Sequence, residues 1–344
     1  MNNAQGISTT EIENGNEKLK YENVTLLPER IFTAGEIADI ALAGGFSECI
    51  VCDFEVKRGD GESVKPIFDQ MVLAGFEITS NDGRVRIVNI DHHFENPDLY
   101  AQISSAHLAK RFIQLYGIQN EKPIFINHTD TDGLITTAIL LGKIPPNEIF
   151  LNAVLAADHT GEENFIADTL QSLETTGDLL SLEEKMELLF KLGSGELHDI
   201  FSLFTILPEQ YAQAIFDEYA ARHYSRSRVE KLVPKFRQTK NGVFFAEVAS
   251  SDAPDTTFLV SAQGMEEANI ICVSRLDKKS GNQIIRVRMG KRGIERRLNL
   301  FETAYKTSDI THLEGRWNAG GNKRTGGFKG SLEEVANLID KTLI

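Results

Sequence analysis

The sequence predicts an α/β protein, with a mostly parallel N-terminal sheet flanked by helices, a helical connector, and a smaller C-terminal α/β domain with a mixed sheet. Three observations predict it. Up to about residue 160, short apolar runs of strand character alternate with segments of helical period, and such β-α-β alternation is what a parallel sheet covered on both faces produces. From about Glu163 to Val233 the helical spacing is sustained and strand patterns are few. After Pro234 the short strands return and close on a helix. At 344 residues, and about 100–200 residues per domain, two domains are expected. A hydrophobic fraction of 41% beside 25% charged residues excludes a largely disordered chain.

In chain order, residues 1–20 mix Asn, Ser, Thr, Gly and Glu without apolar periodicity and are expected to form a flexible tail. The first domain is placed at 21–165. Its expected strands are CIVCDF (49–54), RVRIVNID (84–91), KPIFINH (122–128) and IFLNAVLAAD (149–158), and its helices cover 103–117 and 133–142. The helical connector spans 166–234. The second domain, 235–344, has expected strands at 241–249, 256–262, 268–277 and 282–290. Its last helix, 331–343, starts at a Ser331-x-x-Glu334 capping sequence.

No apolar run approaches the ~20 residues of a membrane span, and the first residues are polar and acidic where a signal peptide is basic and then apolar. A cytoplasmic protein without membrane association is expected. Three cysteines are too few for a disulfide framework. Cys49 and Cys52 form a Cys-x-x-Cys inside an apolar strand with no second pair elsewhere, so they read as buried strand thiols. The net charge of −14 hides an asymmetry: residues 275–329 hold 14 Lys and Arg against 5 Asp and Glu, which leaves 22 against 45 elsewhere. One stretch is thus built to meet anions.

The chemistry gathers at the ends of the expected strands. Asp53 follows CIVC, Asp91-His92-His93 follows IVNI, His128-Thr-Asp130-Thr-Asp132-Gly133 follows IFIN, and Asp158-His159 follows VLAA. Ligands of an open parallel sheet bind beyond the carboxyl ends of its strands, so these ends are expected to converge on one crevice. Carboxylates crowded a few ångströms apart raise one another's pKa unless a cation compensates them. A mixed His/Asp set without thiolates suits two Mn²⁺, with Mg²⁺ or Co²⁺ as alternatives. Two ions about 3.5–4 Å apart serve displacement at phosphorus.

VNIDHHFENP resembles the signature of the DHH phosphoesterase superfamily, and ISSAHLAKRF the small-residue helix that follows it. INHTDTDG is similar to the superfamily's His-x-Asp-x-Asp-Gly motif, IVCDF to its lone-aspartate motif, AADHTG to its last acidic motif, and RWNAGGNKRTGGF to the glycine-rich segment of the C-terminal DHH-associated domain. The resemblance covers about residues 47–330. It implies that His128 and Asp130 hold one Mn²⁺, that Asp132, His92 and Asp158 hold the other, and that Asp53 bridges them. It further implies that His93 contacts the scissile phosphate while Asp91 orients the histidine pair. It gives His159 no role, and that residue reads as local and structural. In two places the chain departs from the family. The Asp-x-Asp motif at 130–132 follows the DHH cluster where it ordinarily precedes it, and Asn322 stands where the glycine-rich segment usually has histidine.

Arg286 or Arg288, with the backbone amides around Gly320, Gly321, Gly326 and Gly327 and the side chain of Asn322, is expected to hold a second phosphate or a nucleotide. Trp317 is either a stacking residue for a base or a core residue. Because the basic stretch is confined and the rest is acidic, the expected partners are short single-stranded RNA, a linear dinucleotide or another small phosphorylated substrate. A homodimer is compatible with the sequence. The expected reaction is hydrolysis of short oligoribonucleotides or dinucleotides to 5′-mononucleotides, with 3′-phosphoadenosine 5′-phosphate as a further substrate. The alternatives are an exopolyphosphatase or inorganic pyrophosphatase, a non-catalytic nucleotide-binding regulator, and a structural metalloprotein.

Overall fold

A computed structural model of the chain describes residues 23–57, 63–66, 76–80, 83–92, 103–249 and 255–343. The tail expected at 1–20 and His93 lie outside the described residues. Two compact units divide the chain: the described residues between 23 and 92, with 103–154 and 164–219, form the first, and 155–163, 220–249 and 255–343 form the second. Both units mix helix and sheet, the first sheet mostly parallel and the second mixed, as the fold class predicts.

In the first unit the strands are β1 (Val24–Leu26), β2 (Phe32–Thr33), β3 (Glu48–Cys52), β4 (Val56–Lys57), β5 (Ser63–Pro66), β6 (Phe76–Thr79), β7 (Arg86–Ile90) and β8 (Ile124–Ile126). Six of them make one sheet in the order β1-β8-β3-β7-β6-β5. Its first four strands are parallel, and β6 and β5 extend it antiparallel. Strand β3 is buried over Cys49–Cys52 and β7 over Ile87–Ile90, as expected of central strands covered on both faces. The three cysteines are free and buried. Burial pushes the Cys49 and Cys272 thiols up to about 12 and the Cys52 thiol well up, so they fill space as apolar groups.

Helix α1 (Ala34–Ala43) starts at a Thr33/Glu36 capping box and lays Ile37, Ala38 and Ala41 on Cys49, Val51, Ile87 and Phe125. Helix α2 (Ser105–Tyr116) is N-capped by Ser104 and packs on α3 (Thr131–Leu140), which Asp130 caps. Next come α4 (Glu148–Leu155), α5 (Phe165–Thr175), α6 (Leu182–Ser194), α7 (Leu203–Ile206) and α8 (Glu209–Leu232). The run 149–158, expected as a fourth strand, is instead α4 followed by a π-helical turn, Ala156–Thr160. Its buried residues Phe150, Leu151, Ala153 and Val154 fall on one helical stripe while Ile149 is exposed. The Asn147 side chain accepts the Ile149 and Phe150 N–H groups at 3.1 and 3.4 Å and so starts the helix.

In the second unit, β9 (Arg237–Gln238), β10 (Val243–Glu247), β11 (Ile270–Leu276), β12 (Gln283–Met289), β13 (Glu314–Gly315) and β14 (Ala319–Gly321) form a sheet in the order β13-β14-β12-β11-β10-β9. Only β10 and β11 pair in parallel. Short helices α9 (Lys291–Glu295) and α10 (Ser308–Thr311) precede α11 (Leu332–Asp340). The predicted Ser331/Glu334 capping box starts α11. One face of the sheet (Phe245, Ile270, Cys272, Ile285, Val287) is buried against Leu332, Val335, Ala336 and Ile339 of α11. The alternate residues Phe244, Ile271 and Val273 pack with Phe258, Leu259 and Met265. The expected strand at 256–262 is a 3₁₀ turn over Thr256–Leu259, because Asp255 accepts the Thr257 N–H at 2.9 Å and caps it. Among the described residues no helix is long and apolar enough to cross a membrane.

Candidate metal centre

Three neighbouring parallel strands, β8, β3 and β7, end side by side, so parallel register alone brings their following residues together. Asp53 follows β3, Asp91 and His92 follow β7, and His128 and Asp130 follow β8, with Asp132 in the first turn of α3. Asp53 is 1% exposed and holds φ at 60°, a left-handed conformation that Asp tolerates better than most side chains. Its N–H donates to the Ile90 carbonyl at 2.9 Å, which extends the β3–β7 pairing by one residue. At Gly133 a Cβ would sit 3.2 Å from Asp130 Oδ1 and 3.7 Å from Asp53 Oδ2, so the glycine keeps the space between these carboxylates clear.

Two sets of ligand atoms result. Those of Asp53, His128 and Asp130 lie within 4.8 Å of one another, and so do those of Asp53, His92 and Asp132. Asp53 belongs to both. His128 Nε2 is 3.1 Å from Asp53 Oδ2 and 3.3 Å from Asp130 Oδ2, while its Nδ1 meets the Asn127 side-chain carbonyl oxygen at 2.5 Å. His92 Nε2 is 3.9 Å from Asp53 Oδ1. Asp91 is buried beside His92.

The electrostatics of the cluster call for a cation. Burial, followed by the charges of Asp53 and Asp130, pushes the Asp132 carboxyl well above the usual carboxylate range. Burial opposes charge on His128, but hydrogen bonds and charge from Asp130 and Asp53 outweigh it and push the imidazole up to about 11. Burial likewise raises Asp130, and the His128 imidazolium outweighs this and brings the carboxyl to about 2. A proton on His128 therefore supplies the positive charge that the buried Asp53 and Asp132 and the half-buried Asp130 need. Carboxylate and imidazole donors without a thiolate fit hard or borderline divalent ions, so the set can hold metal.

Two residues of this site escape sequence reasoning. Ser105, in the helix after the DHH-like cluster, donates its hydroxyl to Asp53 Oδ1 at 2.7 Å and its N–H to Asp132 Oδ2 at 2.7 Å. Lys185 of α6 is only 6% exposed and donates to Thr129 Oγ1 at 2.9 Å, between His128 and Asp130. Ser105 stands within a recognisable motif, but nothing in the sequence says where its hydroxyl points. Lys185 carries no local pattern beyond an amphipathic helix.

Asp158 and His159 sit in the π-helical turn of the second unit, a rare element that concentrates at functional sites. His159 is buried, with Nδ1 2.8 Å from the Asn318 amide nitrogen and its ring 6.0 Å from that of Trp317. Trp317 is 6% exposed, and so it is a core residue of its unit. On β12, Arg286 and Arg288 share one face and pair with Gly321 and Ala319 of β14. Arg286 is exposed, whereas Arg288 donates through Nη1 to the Asp158 carbonyl at 2.9 Å and burial lowers its pKa.

The glycines turn out to have steric duties. A side chain at Gly320 would run into the Glu314 carbonyl and the Tyr305 hydroxyl, and one at Gly321 into the Ile285 carbonyl. Gly326 and Gly327 hold φ at 90° and 83° in the turn that follows. Asn322 is fully buried: its Oδ1 accepts the Ile285 N–H at 2.8 Å, and its Nδ2 donates to the Thr311 and Gln283 carbonyls at 3.2 and 3.4 Å. Its polar atoms are committed to the backbone. Asn322→Ala is accordingly expected to cost about 1–3 kcal/mol through the unsatisfied Ile285 N–H, read as a lower denaturation midpoint. KM for any substrate should stay unchanged, and a raised KM without loss of stability contradicts this assignment.

No family model and no curated protein matches the chain. Among solved structures it is similar to an exopolyphosphatase-related protein from Bacteroides fragilis, at 15% identity over 90% of this chain and 74% of that one with a TM-score of 0.34. It is similar also to a pGpG-specific phosphodiesterase from Vibrio cholerae, at 11% identity over 74% and 77% with a TM-score of 0.38. A third is the DHH domain of a member of the S1p family of ribosomal proteins, at 14% identity over 90% and 66% with a TM-score of 0.33. At these TM-scores the likenesses carry no functional reading, which has to rest on the side chains.

Proposed function

We propose that the protein is a two-metal phosphoesterase that hydrolyses short oligoribonucleotides or linear dinucleotides to 5′-mononucleotides. One observation carries the reading: Asp53 belongs to two ligand sets at the ends of adjacent parallel strands. A structural metal site needs one closed ligand set, whereas a carboxylate shared between two sets is what a pair of ions needs. The resemblance of the DHH-like and Asp-x-Asp-Gly segments supports the same reading.

In this proposal His128 and Asp130 would hold one Mn²⁺ and His92 and Asp132 the other, with Asp53 shared by the two sets. Mg²⁺ or Co²⁺ would serve in place of Mn²⁺. When bound, the pair supplies a water of lowered pKa and Lewis-acid neutralisation of the phosphoryl oxygens. The chain's own residues do the rest. Asp91 orients the neighbouring imidazoles, and His93 contacts the scissile phosphate and stabilises charge there. Arg286, exposed beside Gly320 and Gly321, offers a guanidinium to a second phosphate. The second domain, taken as 235–344, is thereby the substrate-selecting part.

A second reading, an exopolyphosphatase or pyrophosphatase, is favoured by the burial of Trp317, because a core tryptophan cannot stack on a base. Turnover of a labelled dinucleotide and of polyphosphate with Mn²⁺ separates the two. Release of mononucleotides supports the first and selective cleavage of polyphosphate the second. The variant Asp53→Ala with Asp130→Ala should lose all activity, and residual turnover near the parent level sinks both readings.

A further inference from the structure

The segment Ile103–Ala106 touches three of the proposed ligands, each through a different group. The Ile103 carbonyl lies 3.0 Å from His92 Nδ1. Since a carbonyl only accepts, Nδ1 carries a proton, which in a neutral imidazole leaves the lone pair on Nε2, the nitrogen nearer Asp53. The amides of Ser105 and Ala106 donate to the two oxygens of Asp132 at 2.7 and 2.9 Å, and Thr136 adds its hydroxyl at 3.0 Å. The Ser105 hydroxyl donates to Asp53 Oδ1 at 2.7 Å, opposite the Oδ2 that faces His128. Ser105, Asp132 and Asp53 are all buried to 1% exposure or less. At that burial these bonds fix the direction of each carboxylate.

We infer that Ser105 is a positioning residue for the two-ion centre: its hydroxyl fixes the rotation of the shared carboxylate, and its N–H fixes Asp132, so that both face the ion held with His92. This rests on the two-ion reading above. The hydroxyl acts on the Oδ1 side of Asp53, so its loss should be felt unequally. The ion held with His92 and Asp132 should suffer more than the one held with His128 and Asp130, because Asp53 Oδ2 and the Asn127–His128 contact stay in place.

The full chain permits a clean comparison. Ser105→Ala removes the hydroxyl, keeps the N–H that Asp132 uses, and places a good helix former in the first turn of α2. Ser105→Cys keeps the size and only a weak donor. Ser104→Ala removes the helix cap and keeps the Ser105 hydroxyl, so it reports a purely structural loss. Each variant is titrated with Mn²⁺ alone by calorimetry, and the spin coupling of a bound pair is read by electron paramagnetic resonance.

The parent is expected to bind two ions. Ser105→Ala should weaken one step by about 10–100-fold, the usual size of such indirect effects, and lose the coupled signal at limiting Mn²⁺. Ser105→Cys should fall between, and Ser104→Ala should lower the melting midpoint while keeping both steps. A parent that binds no pair of ions overturns the two-ion reading and this inference with it. Two steps bound equally well by parent and Ser105→Ala overturn the role of Ser105 alone. A loss in Ser104→Ala as large as that in Ser105→Ala also overturns it.

Discussion

Asp53→Asn is expected to lower kcat/KM by on the order of 10³-fold or more, while the metal-free protein changes little in stability, because relief of the repulsion on Asp132 offsets the lost pairing of Asp53 with His128. The first effect follows from the shared position of Asp53. Losing its charge weakens both ligand sets together, and a pair of ions is worth several kcal/mol in the transition state at about 1.4 kcal/mol per decade of rate. The second follows from the strained electrostatics of the parent. The Asp53 charge is among the causes that push the Asp132 carboxyl upward, so a neutral side chain of equal shape relieves that repulsion. The amide can still accept the Ser105 hydroxyl. Asn also tolerates the left-handed φ of 60°, whereas Asp53→Ala adds a backbone cost of about 1–2 kcal/mol. Melts in chelator, Mn²⁺ stoichiometry and turnover of a dinucleotide together check this. A variant that keeps a tenth of the activity, or one that collapses in chelator, contradicts it.

The legible parts of this molecule are those where local pattern and tertiary environment agree. Strands β3, β7 and β8 are apolar runs buried on both faces, and each is followed by charged or imidazole residues that no strand interior accepts. Their ends were therefore readable, and with them the convergence of Asp53, His92, His128, Asp130 and Asp132. Helices α2 and α3 were readable from their helical period, and α11 also from the capping sequence at its start. The run at 149–158 misled because a continuous apolar stretch is compatible with either period, and the deciding residue was Asn147, outside the run. Strands β5 and β6 pair antiparallel at the sheet edge, where the apolar pattern is weak. Glycines 320 and 321 looked like an anion cradle in sequence, yet close strand pairing already demands them. Ser105 and Lys185 were invisible for another reason, since their meaning lies in a single hydrogen-bond direction that no composition or spacing encodes.

The proton that His128 holds in the metal-free protein predicts how metal and pH are linked. Folding raises the His128 pKa from 6.5 to about 11, so its contribution to stability is fully present below pH 6.5 and is lost as pH climbs toward 11. The raised Asp132 carboxyl acts with the same sign, because its charged form is disfavoured by folding. Asp130, brought down to about 2, contributes stability above its ordinary value of 3.8, and that contribution is already complete at neutral pH. In chelator the melting midpoint should therefore fall between pH 6.5 and 8.5. With Mn²⁺ the sign reverses. A divalent ion held by His128 would take an imidazole nitrogen as ligand in place of its proton, so binding would release protons and strengthen as pH rises. At about 1,000 times the dissociation constant the ion adds ~4 kcal/mol, or roughly 10 °C in the midpoint. The gap between the Mn²⁺ and chelator melts should widen over this window. Calorimetry in buffers of different ionisation enthalpy should count about one proton released for the ion held by His128, and His128→Gln should remove that release and flatten the chelator slope. A gap that stays constant with pH, or binding heats that ignore the buffer, rules out the displaced proton.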